Sequence, residues 1–154
     1  VGEHGKVFAV DVLKNELADV ASKARAEGLL NVKTIWADLE IPGSTKLPDD
    51  SMDMILLSHV FFQSKKPEII VKEAQRGVKT SGKVVALEWE KVDSPLGPPL
   101  TERVSKESLK KIFKDAGLKV DTEFTAGSFH YGLIASKGNI AKGEKSLEEE
   151  IKYE

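Results

Sequence analysis

Two kinds of hydrophobic pattern alternate along the chain. Short, continuous apolar runs predict buried strands at residues 6–10, 32–36, 52–60 and 83–89. Longer segments with apolar residues every three or four positions predict helices at residues 14–27, 67–78 and 105–116. Two further β-rich runs, at residues 118–124 and 131–136, predict a closing antiparallel pair.

This order of elements predicts an α/β fold. Strands in alternation with helices are typical of a Rossmann-like, mostly parallel sheet with helices on both faces, ended here by an antiparallel hairpin. We expect one domain over residues 1–137 and a charged tail over residues 138–154. The run at 52–60 is the most apolar, so we expect it to be a central strand. Right-handed crossovers would bring the carboxyl ends of the parallel strands to one edge.

Composition and charge exclude several classes of function. Lys and Arg number 23 and Asp and Glu 25, giving a formal net charge of −2, so we expect neither a nucleic-acid partner nor an anionic membrane surface. The chain has no cysteine, which excludes thiolate chemistry and suits a cytoplasmic protein. No apolar run approaches the roughly 18 residues of a spanning helix. No metal-ligand motif is present, so we expect no metal site.

Two acids follow neighbouring predicted strands. Asp11 ends the first strand, where a carboxylate can accept two hydrogen bonds from ribose hydroxyls. Asp38 follows the next strand, where its carboxylate can accept a hydrogen bond from the exocyclic amine of an adenine. Asp11 alone is explained equally well as a turn or helix cap, and Asp38 alone is explained better as a turn cap. Together, at adjacent strand ends, they favour a nucleoside site.

The same edge collects further polar and aromatic residues. Ser58 and His59 end the third predicted strand, and Glu88 and Trp89 end the fourth. His59 and His130 are candidate bases, although an isolated histidine is more often structural. Glu88 could orient a substrate amine or simply face solvent. Trp89 could contact the substrate.

Several segments, in this order, resemble a class I S-adenosylmethionine-dependent methyltransferase of the ubiquinone and menaquinone methylase type. They are "GKVFAVDV", "GLLNVKTIWADLE", "LPDDSMDMILLSHVF", "EAQRGVKTSGKVVALEWE" and "SKESLKKIFKDAGLKV". The resemblance covers residues 5–137. It implies S-adenosylmethionine as the cofactor, a small-molecule acceptor, and in-line transfer of the sulfonium methyl without a covalent enzyme intermediate.

The resemblance also implies roles for particular residues. The implied cofactor-binding residues are Asp11 and Val12 at the ribose, Ala37, Asp38 and Leu39 at the adenine, and Ser58 near the methionyl end. The implied catalytic residue is His59, and the implied substrate residues are Glu88, Trp89 and His130.

The sequence departs from the family pattern in two places. "GKVFAVDV" begins at residue 5, whereas the resemblance implies an earlier strand, a glycine-rich loop and a helix. We therefore expect an N-terminally incomplete domain with a gap in its sheet, completed by a separate N-terminal segment or in a homodimer. Phe62 and Gln63 also stand where many relatives place histidines.

Two other functions stay open. The chain could be a nicotinamide-dependent Rossmann oxidoreductase, because Asp11 would suit a ribose there too. It could instead be a non-catalytic methyltransferase-like subunit or fragment. Its activity as an enzyme is therefore a hypothesis at this point.

Overall fold

A computed structural model of the chain describes residues 1–138. Its elements are β1 Val7–Asp11, α1 Lys14–Ala26, β2 Val32–Trp36, β3 Met52–Ser58, α2 Pro67–Gly77, β4 Val78–Trp89, α3 Lys106–Asp115, β5 Leu118–Thr125 and β6 His130–Lys137. The predicted α/β class is confirmed. The charged tail lies, from residue 139 onward, outside the described residues. No helix within residues 1–138 is long and apolar enough to cross a membrane.

The strands form two sheets. β1 pairs with β2 in parallel. The second sheet has the order β3-β4-β6-β5, in which β3 and β4 are parallel and β6 runs antiparallel to both of its neighbours. Parallel strands closed by a C-terminal antiparallel hairpin are the arrangement that the sequence predicted.

The main core lies between the four-stranded sheet and the helices α2 and α3. Every second residue of β4 from Gly82 onward is buried there, as expected for a strand with one face covered, and so are Tyr131, Leu133 and Ala135 of β6. The largest apolar side chains that are almost fully buried are Phe61, Val71, Val78, Val84, Leu109, Phe113, Tyr131 and Leu133. Ser105 caps α3, because its side chain accepts a hydrogen bond from the Ser108 amide at 3.2 Å.

β4 begins five residues before the strand that the sequence predicted. Met52 of β3 pairs with Val78, but Met54, two residues later, pairs with Lys83, so the intervening residues of β4 form a bulge. The turn residues in "TSG" predicted a loop there. Gly82 fits the bulge because a Cβ at this position would lie 2.8 Å from a backbone carbonyl oxygen of β3.

Within residues 1–138 β3 is an edge strand, so the prediction that it lies centrally is wrong for this part of the chain. Met54 and Leu56 on β3 are 64% and 61% exposed. β1 is half-buried rather than covered on both faces. An apolar cleft of about 480 Å³ separates β1 from β3, with α2 residues Ile70 and Ala74 among its lining.

A partly buried ion pair ties the connection between β2 and β3 to α2. The Glu73 carboxylate accepts hydrogen bonds from the Arg76 guanidinium at 2.7 and 3.0 Å, from the Thr45 hydroxyl at 2.5 Å and from the Gly43 amide at 3.1 Å. Arg76 also donates to the Leu47 carbonyl at 2.7 Å. The hydrogen bonds from Arg76, followed by those from Thr45 and Gly43, lower the pKa of Glu73 to about 2 despite its burial.

Glu73→Gln should destabilise the fold by about 2 kcal/mol near pH 7, because a buried charge-assisted network loses its anion. Since the folded-state pKa of Glu73 is depressed, its contribution is present above the ordinary carboxyl pKa and is lost as the pH falls toward 2. Urea unfolding of both proteins at a series of pH values should show the difference shrinking below about pH 4.5. Glu68→Gln, on the exposed side of α2, is the control. A difference that does not change with pH would contradict the assignment.

Candidate functional site

The carboxyl ends of the parallel strands carry the candidate site. Asp11 ends β1, Asp38 follows β2 by two residues, Ser58 ends β3 and Trp89 ends β4. His130 begins the antiparallel strand β6 and pairs directly with Trp89. The residues that the sequence selected therefore come to the strand ends in the structure, as parallel pairing requires.

The ends of β1 and β2 are joined by backbone and side-chain hydrogen bonds. The Ala37 amide donates to the Asp11 carbonyl at 3.1 Å, and the Trp36 indole donates to the Val12 carbonyl at 2.9 Å. Asp11 Oδ1 accepts the Leu13 amide at 2.7 Å, as a turn cap would. Within residues 1–138 Oδ2 has no hydrogen-bond partner, so this oxygen is available to a ligand hydroxyl.

Asp38 caps its own turn in the same way. Its Oδ1 accepts the Glu40 amide at 2.9 Å. The neighbouring Ala37 is buried and Leu39 packs against the hydrophobic core, so both offer a ligand mainly their backbone. The capping role and a binding role are compatible, because the cap uses only one carboxylate oxygen of Asp11 and of Asp38.

Glu40 connects the β2 end to the β3 end, a role that the sequence analysis missed. Its Oε1 accepts hydrogen bonds from the Ser64 hydroxyl at 2.7 Å and from the Lys65 amide at 2.9 Å. These hydrogen bonds, that of Ser64 first, lower the pKa of Glu40. The loop that carries Asp38 is thereby fixed to the loop that follows His59.

His59 sits in a strained turn that Glu88 supports. Its φ of 55° is in the left-handed region, which is unusual outside glycine. The His59 amide donates to the Leu87 carbonyl at 2.9 Å, and the Phe61 amide donates to Glu88 Oε1 at 2.9 Å. Glu88 is only 1% exposed, so the alternative that it faces solvent is wrong. Burial raises the pKa of its carboxyl.

Three rings meet at the ends of β3, β4 and β6. The Trp89 and His130 ring centroids lie 4.1 Å apart, those of His59 and His130 4.9 Å, and those of His59 and Trp89 5.7 Å. We call these three side chains the ring cluster. Burial, and secondarily the charge of His130, lower the pKa of His59, which favours its neutral form. His59 Nδ1 lies 3.0 Å from the Ser58 hydroxyl.

Comparison with known proteins identifies this architecture. The family described as "Methyltransferase domain" matches residues 1–86. A SAM-dependent methyltransferase from Aquifex aeolicus superposes with a TM-score of 0.80 at 30% identity, over 89% of this chain and 71% of that one. The chain belongs to the class I S-adenosylmethionine-dependent methyltransferases. The resemblance seen in the sequence is confirmed, and the nicotinamide alternative is disfavoured.

This methyltransferase domain also matches two demethylmenaquinone methyltransferases. They come from Geobacillus sp. (strain WCH70) and Geobacillus stearothermophilus, and are 34% and 33% identical to it over 89 residues. The match covers 57% of this chain but only 36% of either relative. S-adenosylmethionine is the cofactor of the family. The roles of the individual site residues stay predictions.

Replacing His130 with Gln in the methyltransferase domain should raise the pKa of His59. The neutral amide removes the positive charge that opposes protonation of His59, and the rise should be partial because the burial of His59 remains. An NMR titration of the imidazole resonances measures this pKa directly. His4→Gln, at an exposed position remote in sequence, is the control. A His59 pKa that is the same in both variants would show that the two rings are electrostatically independent.

Proposed function

We propose that this domain catalyses methyl transfer from S-adenosylmethionine to a small-molecule acceptor at the strand-end edge. The observation that carries the proposal is the pair of carboxylates, Asp11 and Asp38, at adjacent strand ends joined by the hydrogen bond from Ala37 to Asp11. Family membership supplies the reaction class. The position of the two acids at adjacent strand ends indicates which residues would bind the cofactor.

The residues at the ends of β1 and β2 fit the nucleoside half of the cofactor. Asp11 would hold the ribose through its unpaired oxygen, beside the exposed Val12. Asp38, with the backbone of Ala37 and Leu39, would hold the adenine. Ser58, exposed at the end of β3, would lie near the methionyl end. When bound, the cofactor supplies a methyl group on a sulfonium, which needs a correctly aligned nucleophile.

The ring cluster is suited to bind the methyl acceptor. Neutral His59 can take a proton from an acceptor hydroxyl, and it is our candidate catalytic residue. Loss of that proton would make the oxygen, or a ring carbon conjugated with it, the nucleophile, and methyl transfer would leave S-adenosylhomocysteine. Trp89 and His130 can orient the acceptor and exclude water from it. Glu88 would act indirectly, because its hydrogen bond with the Phe61 amide holds the turn that contains His59.

We infer a reduced naphthoquinone as the first acceptor to test. The two Geobacillus relatives are named for demethylmenaquinone, and their match includes a third of their length. A planar ring with a hydroxyl suits the aromatic surface of Trp89 and the adjacent imidazoles. The cysteine-free composition supports a cytoplasmic location for this activity.

Asp11→Ala should weaken binding of S-adenosylhomocysteine at least about tenfold, because a ribose hydroxyl loses a charged acceptor. Isothermal titration calorimetry measures the affinity, with the mass of the sample determined in parallel. Asp19→Ala, at an exposed position on α1, is the matched control and should bind as the unmodified chain does. Equal affinity in the two variants would remove Asp11 from the site.

We propose further that the cleft between β1 and β3 takes one extended apolar segment. The segment is the strand, with its glycine-rich loop, that the family resemblance implies ahead of Gly5. Both cleft walls are strand edges that pair with no further strand within residues 1–138, and an inserted strand would satisfy both. The backbone amides along the free edge of β3 would gain partners, and the glycine-rich loop would arrive beside Asp11 and Ser58.

A peptide with one apolar strand followed by a glycine-rich loop should therefore bind this chain in a one-to-one complex. Hydrogen exchange at the amides of Met54 and Leu56 should slow at least about tenfold on binding, because β3 gains a partner strand. A dimer of the chain alone with those amides already protected would show that a second copy fills the cleft instead. A folded monomer that does not bind the peptide would contradict the proposal. A complex that still binds no adenosyl compound would favour the non-catalytic alternative.

A further inference from the structure

The buried guanidinium of Arg103 donates five hydrogen bonds. Arg103 is 4% exposed, and its guanidinium donates to one loop only, the loop that follows β4. The acceptors are the carbonyls of Glu90 at 3.1 Å, Val92 at 2.8 Å, Leu96 at 2.8 Å and Pro98 at 2.9 Å, and the Ser94 hydroxyl at 2.9 Å. Within residues 1–138 it forms no ion pair with a carboxylate.

This arrangement uses the geometry of a guanidinium. A buried charge is costly unless its donors are all satisfied, and carbonyl oxygens on several sides of the planar group meet that need here. A lysine ammonium has three donors and no fork, so it cannot reach the same set of acceptors. The loop from Glu90 to Pro98 is therefore folded around Arg103, and its shape depends on this one side chain.

The same loop packs on the ring cluster. Gly97 has a φ of 87°, and a Cβ at this position would lie 2.7 to 2.8 Å from atoms of the Trp89 indole. The Arg103 guanidinium carbon lies 5.4 Å from the centre of the same ring, within the range of a cation–π contact. The His130 ring, with its centroid 4.1 Å away, also contacts Trp89. Both the loop and His130 therefore pack on the Trp89 indole.

We propose that Arg103 is a positioning residue that holds the loop from Glu90 to Pro98 over Trp89 and thereby fixes one wall of the acceptor site. The inference rests on the proposed function, because it assigns the ring cluster to the acceptor. Val92, Leu96 and Leu100 in and beside this loop are exposed apolar residues, which suits a wall that meets an apolar acceptor. Arg103 itself touches no reacting atom in this scheme.

Two variants disturb the loop by independent means. Arg103→Lys keeps the positive charge but loses the planar guanidinium and two of its five donors. Gly97→Ala keeps Arg103 but brings a methyl group into contact with the Trp89 indole. Arg25→Lys, the same chemical change at an exposed position, is the control. In both loop variants we expect tryptic cleavage after Lys91 to accelerate about tenfold and Trp89 to become about twofold more accessible to acrylamide, measured in a Trp36→Phe background.

Three further readouts separate positioning from general stability. The His130 imidazole resonance should move in both loop variants, because the neighbouring Trp89 indole shifts. With reduced 1,4-naphthoquinone as the probe, KM for the acceptor should rise about tenfold, while the affinity for S-adenosylhomocysteine stays within about twofold. Unchanged cleavage and quenching in both variants would overturn the proposal, as would an open loop with an unchanged acceptor KM. If the unmodified chain transfers no methyl group, the proposed function fails, and the cleavage, quenching and NMR results still decide whether Arg103 holds the loop over Trp89.

Discussion

Parallel strand pairing is the constraint on which both the site and the cleft depend. Parallel pairing of β1 with β2 and of β3 with β4 aligns their carboxyl ends, which puts Asp11, Asp38, Ser58 and Trp89 at strand ends. The same pairing rule leaves the facing edges of β1 and β3 with unsatisfied backbone groups within residues 1–138. The proposed cofactor site and the cleft between β1 and β3 therefore both follow from the parallel pairing of the strands.

Buried charged side chains fix the loops at both ends of the strands. Glu73 with Arg76 holds the connection before β3, Glu88 holds the turn after β3, and Arg103 holds the loop after β4. Glu40, closer to the surface, joins the loops after β2 and β3. Each group is far in sequence from at least one segment that it binds. A desolvated charge without partners is costly, so these contacts favour one loop arrangement over others.

The hydrophobic pattern predicted most of the elements because apolar periodicity is a local property. The strand β2 and the start of α1 were predicted to the residue. The edge position of β3 was not, because its apolar run specifies burial but not which strand lies beside it. The bulge before Lys83 was mistaken for a turn because "TSG" has turn composition.

The two strand-end acids could be selected from sequence, since each directly follows a strand. The roles of Glu40 and Arg103 could not, because their partners are loop groups whose positions depend on tertiary folding. The burial of Glu88 did have a signal. Val84 and Ala86 are apolar and Glu88 continues the same alternation, which places its side chain on the buried face of β4.

The most direct test of this account is to map bound S-adenosylhomocysteine by NMR on the isotopically labelled chain, alone and with the complementing strand peptide. We expect the largest amide shifts at the ends of β1, β2 and β3, around Asp11, Asp38 and Ser58. We expect smaller shifts in the ring cluster. Shifts confined to another surface, such as the hollow beside Lys114 and Leu118, would contradict it, as would no shift in either sample.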